Sequence, residues 1–580
     1  MALSDDDEDL RQAIALSLQD LSAGGVGETA HEAISLDSDS ETEEKSTGAA
    51  GHSKGEREVS GSSVEQGVLG LDRKQMEQER LARKRKAPSI SPPPLRKAAA
   101  SDPPVASVPV KSATRQALQA TVTSQVSSGS HGTGPVFLTG TVKKTWAFGH
   151  ERKHDDMKLE EVLQKNDLNL AVLSSFQWEI DWLLAKINTR STQITLVMQA
   201  KDLATQQQYR RETAAMSNLR LCFPSMEGQI SCMHSKLMLL SHPSHLRVAV
   251  PTANLVSYDW GETGIMENMV FLIDVPRLPK GQRATAEDMT FFATELIYFL
   301  EAMGLEQTII DSMYNFDFTK TKDLAFVHNI GGAHFGELQQ RTGYCGLGRA
   351  VKELGLATDK PLQIDFVTSS VGSLNDDFLS MIYLAAQGDD GLTEYNWRNP
   401  PIVPKRKKTP QEDLQAKDGP RERLRSHLRQ NFQVYYPTHE TVKSSTAGSA
   451  GTIWFQSRWY NSPTFPREIL RDCKSVRPGM LMHNKLLFVH PKDDPTKFWA
   501  YVGSANCSES AWGKLFKDRA TKEPKLNCRN WECGVLVPVR PNMSGSGEGD
   551  LKEFEGIVPV PMQVPGEEYG DKKPWYFTEQ

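Results

Sequence analysis

The chain has 580 residues, 38% hydrophobic and 24% charged, enough for two or three domains. Its net charge of −6 does not announce nucleic-acid binding, although a basic groove can sit on an acidic protein. No apolar run approaches the ~18 residues of a membrane helix, the acidic N-terminus is no secretory signal, and the seven cysteines form no C-x2-C pair; membrane, zinc and disulfide frameworks are therefore not expected.

Residues 1–133 are rich in Ser, Gly, Ala, Pro and charge and poor in aromatics. Such a stretch buries too little apolar surface to offset its ordering entropy, so a disordered arm is expected. Within it, DDDEDLRQAIALSLQD (5–20) places Leu10, Ile14 and Leu18 on one helical stripe, with Ala13 and Ser17 beside it. Aspartates lead the segment and suit the helix dipole. This order resembles a ubiquitin-interacting motif, and the resemblance assigns Leu10, Ala13, Ile14 and Ser17 to ubiquitin. ISLDSDSETEE (34–44) reads as a solvated acidic patch. RLARKRKAPSISPPPLRK (80–97) reads as a nuclear localisation signal, and KRKK (405–408) as part of an inserted surface loop spanning about Arg398 to Arg429.

A globular pattern begins at Gly134. MKLEEVLQ and FQWEIDWLLAKI predict helices, with Trp178 and Trp182 on one core-facing side; ITLVMQA predicts a buried strand. FFATELIYFLEAMGL (291–305) predicts an apolar helix ending near a glycine. KPLQIDFVTSSVGSL and FQVYYP predict strands, and SESAWGKL a helix. Alternating strands and helices argue an α/β fold, here of two domains over 134–330 and 331–580. Neither GGAH (331–334) nor GLG (346–348) sits in a strand–GxGxxG–helix frame, so no nucleotide cofactor is expected.

One pattern occurs in both halves. CMHSKLMLL followed by PTANL carries His234, Lys236 and Asn254; LMHNKLLFV followed by VGSANCS carries His483, Lys485 and Asn506. Each set is followed by a glutamate that leads into an apolar run, Glu267 and Glu532. On a strand, residues i and i+2 share a face, so each His and Lys project into one site. If the halves pack about a pseudo-twofold axis, two ammonium groups and two amides face the non-bridging oxygens of a phosphodiester. Fixed donors of this kind are usually the largest electrostatic contribution to catalysis. Two imidazoles suit a two-step displacement, one as nucleophile and one as proton donor, each oriented by a glutamate through its second ring nitrogen.

Paired H-x-K motifs with a downstream Asn resemble the phospholipase D superfamily. The aspartate of its familiar H-x-K-x4-D pattern is absent, replaced by Ser241 and His490. With GSANCSESAWG, ANLVSYDW, SSVGSL and YGDKKPW, the body from about 135 to 580 resembles the tyrosyl-DNA phosphodiesterase family. The resemblance implies two pseudo-symmetric phospholipase D-like α/β domains with the active site between them. It implies cleavage of a 3′-phosphotyrosyl bond between DNA and a topoisomerase I peptide, without metal or other cofactor, in a nuclear monomer. His234 matches the nucleophile that forms a phosphohistidine, and His483 the general acid. Lys236, Lys485, Asn254 and Asn506 match a phosphate clamp. Ser369, Ser370 and Ser504 match residues that touch DNA phosphates, with Trp575 near the DNA. Ile230 stands where animal members carry a base-stacking aromatic. Two other readings compete: a phospholipase or general nuclease of the same superfamily, and a ubiquitin-binding scaffold.

Overall fold

The computed structural model describes residues 136–400, 419–540 and 551–577. The ubiquitin-motif, nuclear-signal and disordered-arm expectations and the KRKK run lie outside these residues. No helix among the described residues is long and apolar enough to cross a membrane. All seven cysteines are buried and free.

The first half contributes β1 (Thr141–Thr145), β2 (Asp156–Met157), β3 (Leu170–Ser174), β4 (Gln193–Val197), β5 (Leu219–Cys222), β6 (Cys232–Met233), β7 (Leu237–Ser241), β8 (His245–Pro251), β9 (Met266–Glu267) and β10 (Met269–Pro276). The second contributes β11 (Ala325–Asn329), β12 (Gly332–Phe335), β13 (Leu362–Val367), β14 (Phe432–Tyr436), β15 (Leu470–Asp472), β16 (Leu481–Met482), β17 (Leu486–Pro491), β18 (Phe498–Gly503), β19 (Lys514–Lys517), β20 (Pro524–Cys528), β21 (Asn530–Val539) and β22 (Glu567–Glu568). One sheet runs β2-β1-β10-β8-β7-β3-β4-β5, and the other β11-β21-β18-β17-β13-β14-β15-β22. In each, the two strands around the H-x-K motif pair antiparallel: β7 with β8, and β17 with β18. Both central pairs are buried on both faces, which explains their unbroken apolar runs.

The sheets share one apolar layer, in which Val250, Phe271 and Ile273 of the first pack in the same core as Ala500, Val502 and Val535 of the second. The helix Phe291–Ala302 joins this layer through Phe292 and Phe299, whose rings meet Phe326 of β11. Opposite, the helices Gly343–Glu353 and Asp376–Ala386 cover the second sheet.

The halves also exchange short strands. β6, just before His234, pairs parallel with β21 of the second half, and β16, just before His483, pairs parallel with β9 of the first. The His234 amide donates to Trp531 O and the His483 amide to Glu267 O, both at 3.0 Å. Each motif is thus bonded to the opposite half.

Several expectations differ from the fold. The helix predicted from Phe176 starts only at Ile180, so Trp178 instead bridges to Leu255, and both Trp178 and Trp182 are half-buried rather than core. Trp182 Nε1 donates to Glu262 at 2.8 Å, a polar contact that favours a partly open position. Within the expected surface loop, Pro420–Asn431 is a helix with proline in its first turn, its Arg421 bonded to Asp377 at 2.8 Å. SESAWGKL is helical only over Glu509–Trp512, because Gly513 at φ 77° turns the chain into β19.

Arg477 staples the halves. It is buried and donates to Thr145 O at 2.8 Å and to Glu267 Oε2 at 3.0 Å, and it also pairs with Asp156. Removing one partner from a buried network leaves uncompensated charge, which costs about 3–5 kcal/mol. Arg477→Ala should therefore lose about that much stability in urea titration, and a loss below about 1 kcal/mol would show that the staple is dispensable.

Candidate active site

The exchanged strands bring His234, Asn254, His483 and Asn506 to the wall of one cavity of about 340 Å³. Lys236 and Lys485 are fully buried behind them. Each lysine Nζ donates to the carbonyl of the histidine two residues earlier, Lys236 at 2.9 Å, which fixes ammonium and imidazole in one frame. Asn254 is held by Asp259: its Nδ2 donates to Oδ2 at 2.9 Å and its backbone amide to the same oxygen at 2.7 Å. Asn506 Oδ1 accepts from Thr368 Oγ1, Ser369 Oγ and the Ser370 amide, each at 3.1 Å. With Oδ1 saturated, the Asn506 Nδ2 donors are left to face the cavity.

A carboxylate backs each imidazole. His234 Nδ1 lies 2.8 Å from Glu532 Oε2. Because a carboxylate only accepts, the proton sits on Nδ1 and the Nε2 lone pair is free. His483 Nδ1 lies 3.3 Å from Asp259 Oδ2, short of hydrogen-bond geometry. Asp259, not Glu267, is therefore the acid beside His483. The Glu267 side chain turns away to Ser475 and Arg477. Register explains this. Trp531 pairs with Met233 and Glu267 with Met482, so the counterpart of Glu532 is Asn268, one residue further on. A one-residue slip along a strand sends the side chain to the other face. Asn268 accepts from Thr252 Oγ1 at 2.8 Å and donates to Asp259 O at 2.9 Å, steadying the acid that replaces it.

Two further expected contacts are corrected. Ser504 is buried and donates to Glu532, holding that carboxylate instead of reaching the cavity. Trp575 is packed in the core with its ring 5.6 Å from His439. Ser508 and Phe577 line the cavity instead. Ser369 lies behind Asn506, whereas Ser370 lines the cavity. Ile230 is buried, and Phe176 supplies an aromatic ring 5.3 Å from His234. Asp259 lay in the quoted segment ANLVSYDW, but nothing in its spacing marked it.

Burial dominates the electrostatics. It lowers His234 to about 4 against the pull of Glu532, with Lys236 and Lys485 adding to the depression. It lowers His483 to about 4 against the pull of Asp259. Burial thus favours the neutral form of both rings near pH 7. Burial also lowers Lys236 to about 8, and burial with the neighbouring Lys236 charge drives Lys485 well below its ordinary value. Burial raises Asp259, yet the His483 ring and the Asn254 amide hold it below the ordinary carboxylate value. The charges of Glu532 and Asp259 oppose this depression in both lysines without overcoming it. The arrangement offers a free imidazole nitrogen on one side, a protonatable imidazole on the other, and amide and ammonium donors between.

The family model for tyrosyl-DNA phosphodiesterase matches residues 141–570, and that for the ubiquitin interaction motif matches residues 5–20. The Drosophila melanogaster protein "Tyrosyl-DNA phosphodiesterase 1" is 22% identical over 439 residues, 72% of this chain and 69% of that one. Its Arabidopsis thaliana namesake is 24% identical over 470 residues, 71% of this chain and 69% of that one. The crystal structure of the yeast tyrosyl-DNA phosphodiesterase shares the fold with a TM-score of 0.51 at 18% identity, covering 76% of this chain and all of that one. With nearly the whole folded body matched by one family, and a doubled His-Lys-Asn set at one cavity, the chain belongs to the tyrosyl-DNA phosphodiesterase family.

Proposed function

We propose that this DNA-repair phosphodiesterase cleaves the bond between a DNA 3′-phosphate and the tyrosine of a topoisomerase I-derived peptide, through a phosphohistidine. The observation that supports this most directly is the pair of imidazoles at one cavity, each beside a buried carboxylate and accompanied by a buried lysine. His234 Nε2 attacks phosphorus while the bond to the tyrosyl oxygen breaks. His483 gives its proton to that oxygen, so the leaving group departs as a phenol. The same ring then takes a proton from water, which attacks phosphorus and breaks the N–P bond. A 3′-phosphate and free His234 result. Lys236, Lys485, Asn254 and Asn506 hold the non-bridging oxygens, and Ser370 shares the cavity wall with the two asparagines. Glu532 and Asp259 keep the two rings oriented.

His483 needs a proton that burial disfavours. The substrate reverses this, because an anionic phosphodiester beside the ring favours the imidazolium. Charging of the general acid is thereby coupled to substrate binding.

The arm adds recruitment. The match of residues 5–20 to the ubiquitin interaction motif supports binding to ubiquitin on the trapped protein, and the basic segment at 80–97 supports delivery to the nucleus.

His234→Ala should abolish release of a 3′-phosphate from a 3′-phosphotyrosyl oligonucleotide, with the wild type equally active in EDTA; wild-type inactivity or a strict metal requirement would reject the reaction. His483→Ala should accumulate a covalent protein–DNA species on denaturing gels, and its absence would reject the two-histidine route. Lys236 clamps phosphate only when charged, so kcat/KM should fall as pH rises through about 8. A profile flat well beyond that pH would remove Lys236 from the clamp. Deleting residues 1–22 should abolish binding to ubiquitin chains in pull-down and leave turnover of naked DNA unchanged; equal loss of both would sink the recruitment role.

A further inference from the structure

β12, β20 and β19 form a small antiparallel sheet beside the cavity. Its inner face carries Leu515 and Leu526, both fully buried. Its outer face is ordered in rows. Phe335 stands opposite Lys525, and Lys525 opposite Phe516, so the three project together. The next row is Ala333, Asn527 and Lys514. Lys514 lines the reaction cavity, and so does Arg529, two residues beyond Asn527. The outer face therefore runs from the cavity outward in steps of about 7 Å, the rise of two residues.

Its chemistry is unusual for a solvated sheet. Phe335 and Phe516 are 42% and 39% exposed. The lysines lean over the rings, Lys525 Nζ 5.9 Å from the Phe335 centroid and Lys514 Nζ 6.0 Å from that of Phe516. Along β19 and the turn to β20, Lys514, Lys517, Arg519, Lys522 and Lys525 outnumber Asp518 and Glu523. Lys514 pairs with Glu509 and Lys525 with Asp518, at 2.5 and 3.0 Å, but partly exposed pairs of this kind contribute at most about 1 kcal/mol and yield to a phosphate.

We infer that this face is a docking strip for the single-stranded DNA leading away from the reacting 3′ end, with bases stacked on Phe335 and Phe516 and backbone phosphates on Lys525 and Lys514. The inference rests on the function proposed above, because it takes the cavity as the place where the 3′ end lies. Continuity with the cavity and the excess of positive charge select DNA over the peptide. Exposed aromatics between lysines are the platform single strands use, since every base has a stacking face.

The test compares full-length wild type, the Phe335→Ala/Phe516→Ala double variant and Lys525→Gln on short and long 3′-phosphotyrosyl oligonucleotides. These side chains are exposed or partly exposed and outside the reaction chemistry. The double variant should raise KM for the long substrate about thirtyfold or more, from roughly 1 kcal/mol or more for each of two stacked bases, and leave the shortest substrate unchanged. Lys525→Gln should lower the salt slope of long-substrate binding by roughly 0.7. Losses equal at both lengths, or absent at both, would overturn the strip. Losses that track peptide length at fixed DNA length would assign it to the protein adduct and equally overturn it. Anisotropy with plain 3′-phosphate oligonucleotides separates the two readings: a wild type that never turns over the tyrosyl substrate defeats the proposed reaction, whereas a length-dependent binding defect in the double variant sustains the strip on its own.

Discussion

The constraint on which the site depends is the exchange of two short strands between the halves. Two-residue strands contribute little stability alone. Here each pairs in parallel with a strand of the opposite sheet and carries an H-x-K motif with it. The exchange sets His234 against an acid of the second half and His483 against an acid of the first. Neither His234 nor His483 draws its carboxylate from its own half. Sliding one half against the other would cost both pairs at once, as well as the Arg477 bonds and the apolar layer the sheets share.

Burial of the two lysines follows from this packing and shapes the chemistry. Fully desolvated ammonium groups are costly, and their own histidine carbonyls offset only part of that cost. An anion beside such donors stabilises them further. Preorganised donors in a water-poor cavity stabilise developing phosphoryl charge without reorganising. The same burial favours the neutral form of the two imidazoles.

The pseudo-symmetry is real in the backbone and incomplete in the side chains. Matched strands, amides and histidines recur, but Glu532 and Asn268 occupy equivalent places with unlike side chains. The acid beside His483 comes from a loop position, Asp259, that also holds Asn254. His234 makes a short bond to its acid and His483 a looser approach, so the two rings are not held alike.

The doubled H-x-K pattern with its downstream asparagines was legible because it is local: two residues apart on a strand means one face, whatever the tertiary fold. The buried strands were equally readable, since β7, β8, β17 and β18 are covered on both sides and show it as apolar runs. The sequence alone therefore determined the chemistry on offer, two imidazoles, two ammonium groups and two amides. Tertiary structure alone decided which carboxylate meets which ring, that Ser504 and Trp575 serve the scaffold, and that Phe335, Lys525 and Phe516 stand in one row. These contacts join residues far apart in the chain, and a register shift of one position, invisible in composition or spacing, reverses the face a strand side chain takes.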